Sequence, residues 1–303
     1  MIRRVKYSEI NFEKYGACVE NSAQRKYSAS KIFLDVTANK LWDVLVYHDY
    51  EAVMPVPFIY KNGVKIVHNP LICQQLGVFS PKDDQNINEK FLHFLCENYL
   101  IRVYYFNETN KFYTKLNSKK NFILYPDDYA NVFAKYSPKR KRKLRLDDEI
   151  SDNSEIREVS YVEAKKFIEN HVVGLDKEND AVALLNTFEI FYSLKRLKFS
   201  AFYYHQEMTN VIATYSDYDT IALLGNFNNK EYIKMSGASV LIDHVIKENI
   251  GNHIFDFEGG NLPGIEEFFR GFRPELKPYA TIESSKKTLI KNFLPFLMKG
   301  KLF

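Results

Sequence analysis

One tryptophan, three cysteines and the absence of any long apolar stretch are the scarcities that first bound this 303-residue chain. Cys18, Cys73 and Cys96 are odd in number, far apart and without CxxC spacing, which argues against a disulfide framework and a zinc knuckle alike. They read as reduced thiols, with Cys18 and Cys96 on apolar helix faces as small buried hydrophobes rather than nucleophiles. No window approaches the roughly 18 uninterrupted apolar residues of a membrane span, so no membrane insertion is expected. Arg3 and Arg4 are followed by no apolar core that would make residues 1–16 a leader, so a cytoplasmic location is expected. None of the seven histidines are spaced as helix-borne metal ligands, and no metal site is expected. Neither charge sign dominates: 42 basic against 38 acidic side chains give +4, too little in bulk to call for a nucleic acid or a membrane surface.

What the chain does have is ordinary globular content, 46% hydrophobic and 26% charged, with an unusually ring-rich stock of 24 Phe and 21 Tyr. Its length exceeds the usual single domain of about 100 to 200 residues, so two domains with a core each are expected. The first opens with a short strand at 3–7 and helical stretches at 12–21 and up to 38. Alternating strands follow at 42–48 and 51–60, and Asn62-Gly63 before 64–68 is a type I′ hairpin signal. After the segment NPLICQQLGVFS come a helix at 87–99 and strands at 101–106 and 122–125. Seven basic residues between Lys135 and Arg145 then give way to the acidic run DDEISDNSE, a swing that places the domain boundary at 149/150.

The second half, 150–303, repeats this grammar. Helices are expected at 161–170 and 180–195, and strands at 200–205, 211–216 and 220–224. The next helix is 236–248, with Ser236 as N-cap and Ala238, Leu241, Ile242 and Val245 as its apolar stripe. A strand at 254–257 leads to Gly259-Gly260, and Ile265, Phe268, Phe269 and Phe272 make a second stripe whose aromatic face is core.

The run HIFDFEGGNLPGIEEFFRGFRP at 253–274 resembles the DFEGS-xxPG-xxxFxxxFG segment of FemAB-like proteins, tandem GNAT-fold relatives that make peptidoglycan cross-bridges. SGASVLIDHVI at 236–246, YSPKRKRKLR at 136–145 and NPLICQQLGVFS at 69–80 resemble other segments of that family, the last as seen in its bacterial members. The resemblance implies an α/β chain of two tandem GNAT-like domains, each a mixed sheet flanked by helices. It further implies transfer of an acyl group from coenzyme A, or of an amino acid from aminoacyl-tRNA, to an amine or hydroxyl acceptor such as a cell-wall precursor or peptide. No permanently bound cofactor is implied, only acetyl-CoA, another acyl-CoA or aminoacyl-tRNA as donor.

Several residues are candidates within that frame. Alternation along 253–258 puts Asp256 and Glu258 on one face and Phe255 and Phe257 on the other, and paired carboxylates suit proton removal from an attacking amine. The competing reading makes Asp256 a structural residue bonding the Gly259-Gly260 loop. Ser236, Gly237 and Ala238 open a helix whose free amides could hold a pyrophosphate, although KEYIKMSGAS is a degenerate form of the Arg/Gln-x-x-Gly-x-Gly/Ala loop of CoA-using GNAT enzymes. Gln74 and Gln75 are candidate acceptor-binding amides, and Tyr204 and Arg270 candidate substrate contacts; an arginine opposite an apolar stripe is otherwise a solvated residue. Phe268 stands where the family's general-acid tyrosine is often found, and Arg273 where a glycine is expected. The run from Lys139 to Arg145 could contact tRNA phosphates, or be a solvated charge run balanced by Asp147, Asp148 and Glu149. Two other readings stay open: a peptide- or glycan-binding protein on a degenerate GNAT fold, and an RNA-binding module built on the basic run.

Overall fold

A computed structural model of the chain describes residues 1–174 and 178–298. Contacts divide it into two compact units, Met1–Lys119 with Pro278–Phe303, and Lys120–Lys277. This division differs from the one read at 149/150. The basic run and the acidic stretch after it both lie inside the second unit, and the first unit recovers its last segment from the far end of the sequence.

The first unit contains β1 (Ile2–Val5), α1 (Phe12–Glu20), α2 (Lys31–Thr37), β2 (Trp42–Tyr47), β3 (Ala52–Lys61), β4 (Val64–His68), α3 (Gln85–Asn98) and β5 (Leu100–Tyr105). The second contains most of β6 (Asn117–Leu124), then α4 (Tyr129–Lys135), α5 (Pro138–Leu144), α6 (Asp148–Asp152), β7 (Ser154–Val159), α7 (Tyr161–His171), α8 (Glu178–Ser193), β8 (Leu197–Tyr204), β9 (Glu207–Ser216), β10 (Thr220–Asn228), α9 (Gly237–Asn249), β11 (Ile254–Asp256) and α10 (Pro263–Arg270). Most of β12 (Glu275–Glu283) and all of α11 (Lys286–Met298) belong again to the first.

Both sheets obey one scheme. In the first, β1 to β4 run antiparallel in order, β4 meets β5 in parallel, and β12 pairs antiparallel with β5. In the second, β7 to β10 run antiparallel in order, β10 meets β11 in parallel, and β6 pairs antiparallel with β11. The parallel join falls in each case where a helix, α3 or α9, intervenes between the two strands, since parallel neighbours need a crossover. The repetition read in the sequence is thus a repeat of topology.

Local chemistry sets the element ends. Asn62 and Gly63 both take positive φ (51° and 77°), as the β3–β4 hairpin requires. Asp84 caps α3 by accepting from the Asn86 and Ile87 amides, Ser137 caps α5 with Pro138 behind it, and Ser160 and Glu163 form a capping box on α7. Each cap contributes on the order of 1 kcal/mol. In the first unit the single Trp42 is the hub of a ring cluster, with Tyr7, Phe12 and Tyr15 at 5.4 to 6.0 Å and its indole N–H donating to Asp35 at 3.0 Å. In the second, α9 buries Leu241, Ile242, Val245 and Ile246 against Ile212, Ile221 and Phe255. Ala238, expected in that stripe, is only half-buried, and Cys96, expected on an apolar face, is exposed. Burial pushes the Cys18 thiol up to about 11, so it stays protonated and unreactive at neutral pH.

Candidate functional site

A cavity of about 620 Å³ opens in the second unit between the start of α9, the helix α5 and the helix α10. Its walls carry the three residues expected to open a helix, Ser236, Gly237 and Ala238, together with Arg140, Asn210 and Asn226, which no local pattern singles out. Ser236 precedes α9, but not as the side-chain cap expected of it: it adopts φ 64°, ψ 15° and its hydroxyl caps nothing. Its carbonyl instead accepts the Ser239 and Val240 amides. The amides of Gly237 and Ala238 stand ahead of the first intrahelical bond and carry the positive end of the helix dipole.

Gly237 is what lets this helix start so deep. A Cβ there would lie 2.1 Å from Asn210 Oδ1 and 2.8 Å from Phe202, so only glycine allows α9 to rest on β8 and β9. Asn210 is held in turn by Thr209 and by donation to Asn228, while Asn226 keeps a buried amide oxygen without a partner. The pairing of β9 with β10 slips between Leu223 and Gly225, and this irregularity precedes Asn226 on the cavity wall.

Arg140 is the central group. The residue is 6% exposed, and its guanidinium lies between the Phe268 and Phe272 rings at 4.3 and 4.2 Å. It donates to Ser239 Oγ and, at 2.6 Å, to the Phe268 carbonyl, whereas its Nε finds no acceptor. Among the described residues no carboxylate makes an ion pair with it. Burial pulls its pKa down to about 10, so it remains charged at neutral pH. Asp243 attracts it only from beyond ion-pair distance, and a buried cation without a close acid is costly unless an anion or hydrogen bonds offset its desolvation. Lys139 and Lys143 stand on the same wall; Lys139 pairs with Glu267 at 2.8 Å and holds that carboxyl below its usual range.

The other candidates lie elsewhere. Asp256 is buried at 1% exposure, and its Oδ1 accepts from Asn121 Nδ2 and from the Glu258 amide, both at 2.9 Å. Asn121 Oδ1 takes the Gly259 amide at 3.1 Å. The pair therefore pins the loop after β11, the structural task that the sequence left open for Asp256. The alternation expected of this strand holds for Phe255 and Phe257, whose rings meet at 4.9 Å, but Glu258 has φ 51° and leaves the strand face. Replacing Asp256 by alanine is expected to cost about 1–3 kcal/mol through two orphaned buried donors, measured by urea denaturation. Asparagine, which keeps the accepting oxygen, should lose much less.

Arg270 is exposed, outside the lining of this cavity, and paired with Glu266 through Nε and NH2 at 2.9 and 2.8 Å. Tyr204 donates to Glu149 outside the cavity. Gln75 belongs to the first unit and is fully buried, its amide oxygen taking the Glu108 N–H while Gln74 accepts from its nitrogen. Ile265, expected in the core stripe of α10, is 43% exposed at the cavity wall, while Phe269 and Phe272 are buried as expected. Among the described residues the acids 147–149 make no ion pair with the basic run: Lys139 turns to Glu267, Lys141 to the Ala134 carbonyl and Glu149 to Tyr204 and His205.

No protein-family model and no curated protein matches the sequence itself. Solved structures do match. The crystal structure of FemX superposes with a TM-score of 0.63 at 8% identity, over 91% of this chain and 96% of that one. L-PGS from Bacillus licheniformis follows at TM-score 0.53 and 11% identity, over 95% and 96% of the two chains. A tandem GNAT protein from the clavulanic acid biosynthesis pathway gives 0.51 at 8% identity, over 94% and 99%. Among the described residues no helix is long and apolar enough to cross a membrane. With matching strand order in both units and near-complete cover of these structures, the chain has the tandem GNAT fold, shared with FemX and with the clavulanic acid pathway protein.

Proposed function

We propose that this protein is an acyl or aminoacyl transferase whose donor places a phosphate in the cavity at the start of α9. The observation that carries the reading is Arg140, a buried cation that makes no ion pair among the described residues and whose Nε has no acceptor, beside the Gly237 and Ala238 amides that open α9. A coenzyme A diphosphate and the 3′ end of an aminoacyl-tRNA offer the same chemistry to such a site: oxygens that accept from amides and a guanidinium. Lys143, exposed at the wall and without an ion pair among the described residues, extends the positive field outward along α5, where a longer polyanion would lie.

The lining points to binding and orientation rather than proton chemistry. Its one carboxylate among the described residues, Glu267, is held ionised by Lys139 and is a weak base for an ammonium. An acceptor amine would then enter already neutral and attack the donor carbonyl; as the C–N bond forms, the carbonyl's bond to the thioester sulfur or the tRNA ribose oxygen breaks, the amine loses its proton to solvent, and the departing thiolate or alkoxide takes one up from solvent. Asn226 Oδ1, buried and without a partner on the cavity wall, is placed to accept from an amide or hydroxyl of the donor, while Asn210 Nδ2 is committed to Asn228 Oδ1. The acceptor is proposed as an amine or hydroxyl of a cell-wall precursor or peptide, on the strength of the FemAB-like sequence motif.

Calorimetry of the purified protein with acetyl-CoA and with bulk aminoacyl-tRNA, each at two salt concentrations, tests this. Saturable binding of one donor is expected, and a tRNA donor should lose affinity steeply with salt. Binding of neither, together with saturable binding of a peptide or glycan, would replace the transferase by a binding protein on the same fold. With turnover in hand, Asp256→Asn is expected to keep the rate within about threefold, because its task is a hydrogen bond that asparagine can still accept.

A further inference from the structure

The formal charge of the chain is concentrated at one end. Residues 284–303, SSKKTLIKNFLPFLMKGKLF, hold five lysines and no acid, so the whole excess of +4 resides there and the remainder is close to neutral. Helix α11 covers Lys286–Met298 of this stretch. One edge of it, the half-buried Leu289 and Phe293, faces inward, with Phe293 packed beside Val64 and Leu100. Lys287 and Lys291 lie on the opposite side, Lys286 is exposed in the first turn, and Ile290, between the two sides and next to Lys287 and Lys291, is 71% exposed. None of these three lysines makes an ion pair among the described residues, although acids are nearly as common as bases elsewhere. In the sequence Ile290, Leu294 and Met298 recur every fourth residue beside Lys287 and Lys291.

A helix that needed its lysines only for solubility would have no use for an apolar residue exposed between them. Cations interleaved with apolar side chains suit a boundary that offers negative headgroups and hydrocarbon at one depth. A nucleic acid backbone would satisfy the lysines and leave Ile290 in water. We propose that the exposed edge of α11 docks the protein on the surface of an anionic lipid bilayer, lysines on the headgroup phosphates and Ile290 at the acyl boundary, without insertion. This does not rest on the transfer reaction, and either can fail alone.

Co-sedimentation of the full chain with vesicles of phosphatidylcholine alone, and of phosphatidylcholine and phosphatidylglycerol in equal parts, tests it. The mixed vesicles should bind at least about tenfold better, with the advantage falling as salt is raised. Lys286→Glu, Lys287→Glu and Lys291→Glu combined should remove that advantage, and Ile290→Ser should weaken it severalfold. Both variants change exposed positions only and should keep the wild-type melting temperature. Equal binding to the two vesicles, or undiminished binding by the triple variant, would overturn the proposal. So would lysine-dependent binding to bulk RNA with none to vesicles, which would assign the edge to a nucleic acid.

Discussion

Arg140→Met is expected to weaken binding of the phosphate-bearing donor by at least about 30-fold, because hydrogen bonds to a charged group contribute about 1.5–3 kcal/mol and the guanidinium supplies more than one. The same change should alter stability little. Methionine nearly fills the slot between Phe268 and Phe272, and it removes the burden of keeping an unpaired cation out of water. Against that stands the Phe268 carbonyl, which loses its donor at 2.6 Å, and the two stacking contacts. These terms oppose one another at about 1–3 kcal/mol each, so the unfolding free energy should move by no more than about 2 kcal/mol. Arg140→Lys separates charge from shape: it keeps the cation but loses the planar fork, and intermediate affinity is expected. Calorimetry with the donor and urea denaturation give both readouts. Unchanged donor affinity in Arg140→Met would make the arginine a packing element and remove the main support for the proposed site.

Gly77→Ala should be among the most damaging single-methyl changes in the first unit. Gly77 has φ 113°, a conformation that side chains rarely adopt, and an added Cβ would lie 2.2 Å from Asn110 Oδ1 and 2.7 Å from the Asn107 amide nitrogen. Neither neighbour can yield cheaply. Asn110 bonds the Val78 amide and carbonyl at once, and Asn107 Nδ2 reaches the Gln24 carbonyl. Strain and overpacking together should exceed about 3 kcal/mol, and a melting curve should fall by roughly 10 °C. A loss below about 1 kcal/mol would mean that the loop 69–80 can shift as a body and is less tightly fixed than its hydrogen bonds indicate.

How far the fold was legible depends on which signals act locally. The Asn62-Gly63 hairpin, the apolar stripe of α9 and the repetition of helices before antiparallel strands were all readable, because each depends on neighbours in sequence. β7 and β12 were not. SEIREV sits in an acidic stretch that reads as linker, and ELKPYATIE carries Pro278, which argues against a paired strand. Both become strands through partners distant in sequence, Phe199 to Tyr204 for the first and Val103 to Tyr105 for the second.

The site was legible in part for the same reason. Ser236, Gly237 and Ala238 announced themselves as a small-residue helix start. Arg140 was hidden inside a run of seven basic residues, where nothing in the spacing tells the one that turns inward from those that face water. Its isolation comes from Phe268 and Phe272, more than a hundred positions away. Asp256 drew attention as an acid beside an acid, and its loop-pinning role was among the sequence readings; the partner Asn121, 135 positions away, is what no local pattern could reveal.

The return of Pro278–Phe303 to the first unit has a consequence for synthesis on the ribosome. While residues up to Lys277 emerge, β5 lacks its β12 partner at Val103 to Tyr105, and an incomplete sheet edge waits through the translation of more than half the chain. The second unit, continuous in sequence, can close first. Folding order along this chain is therefore expected to run against the N-to-C convention, and a stalled or truncated product would carry a finished second half beside an open, aggregation-prone first.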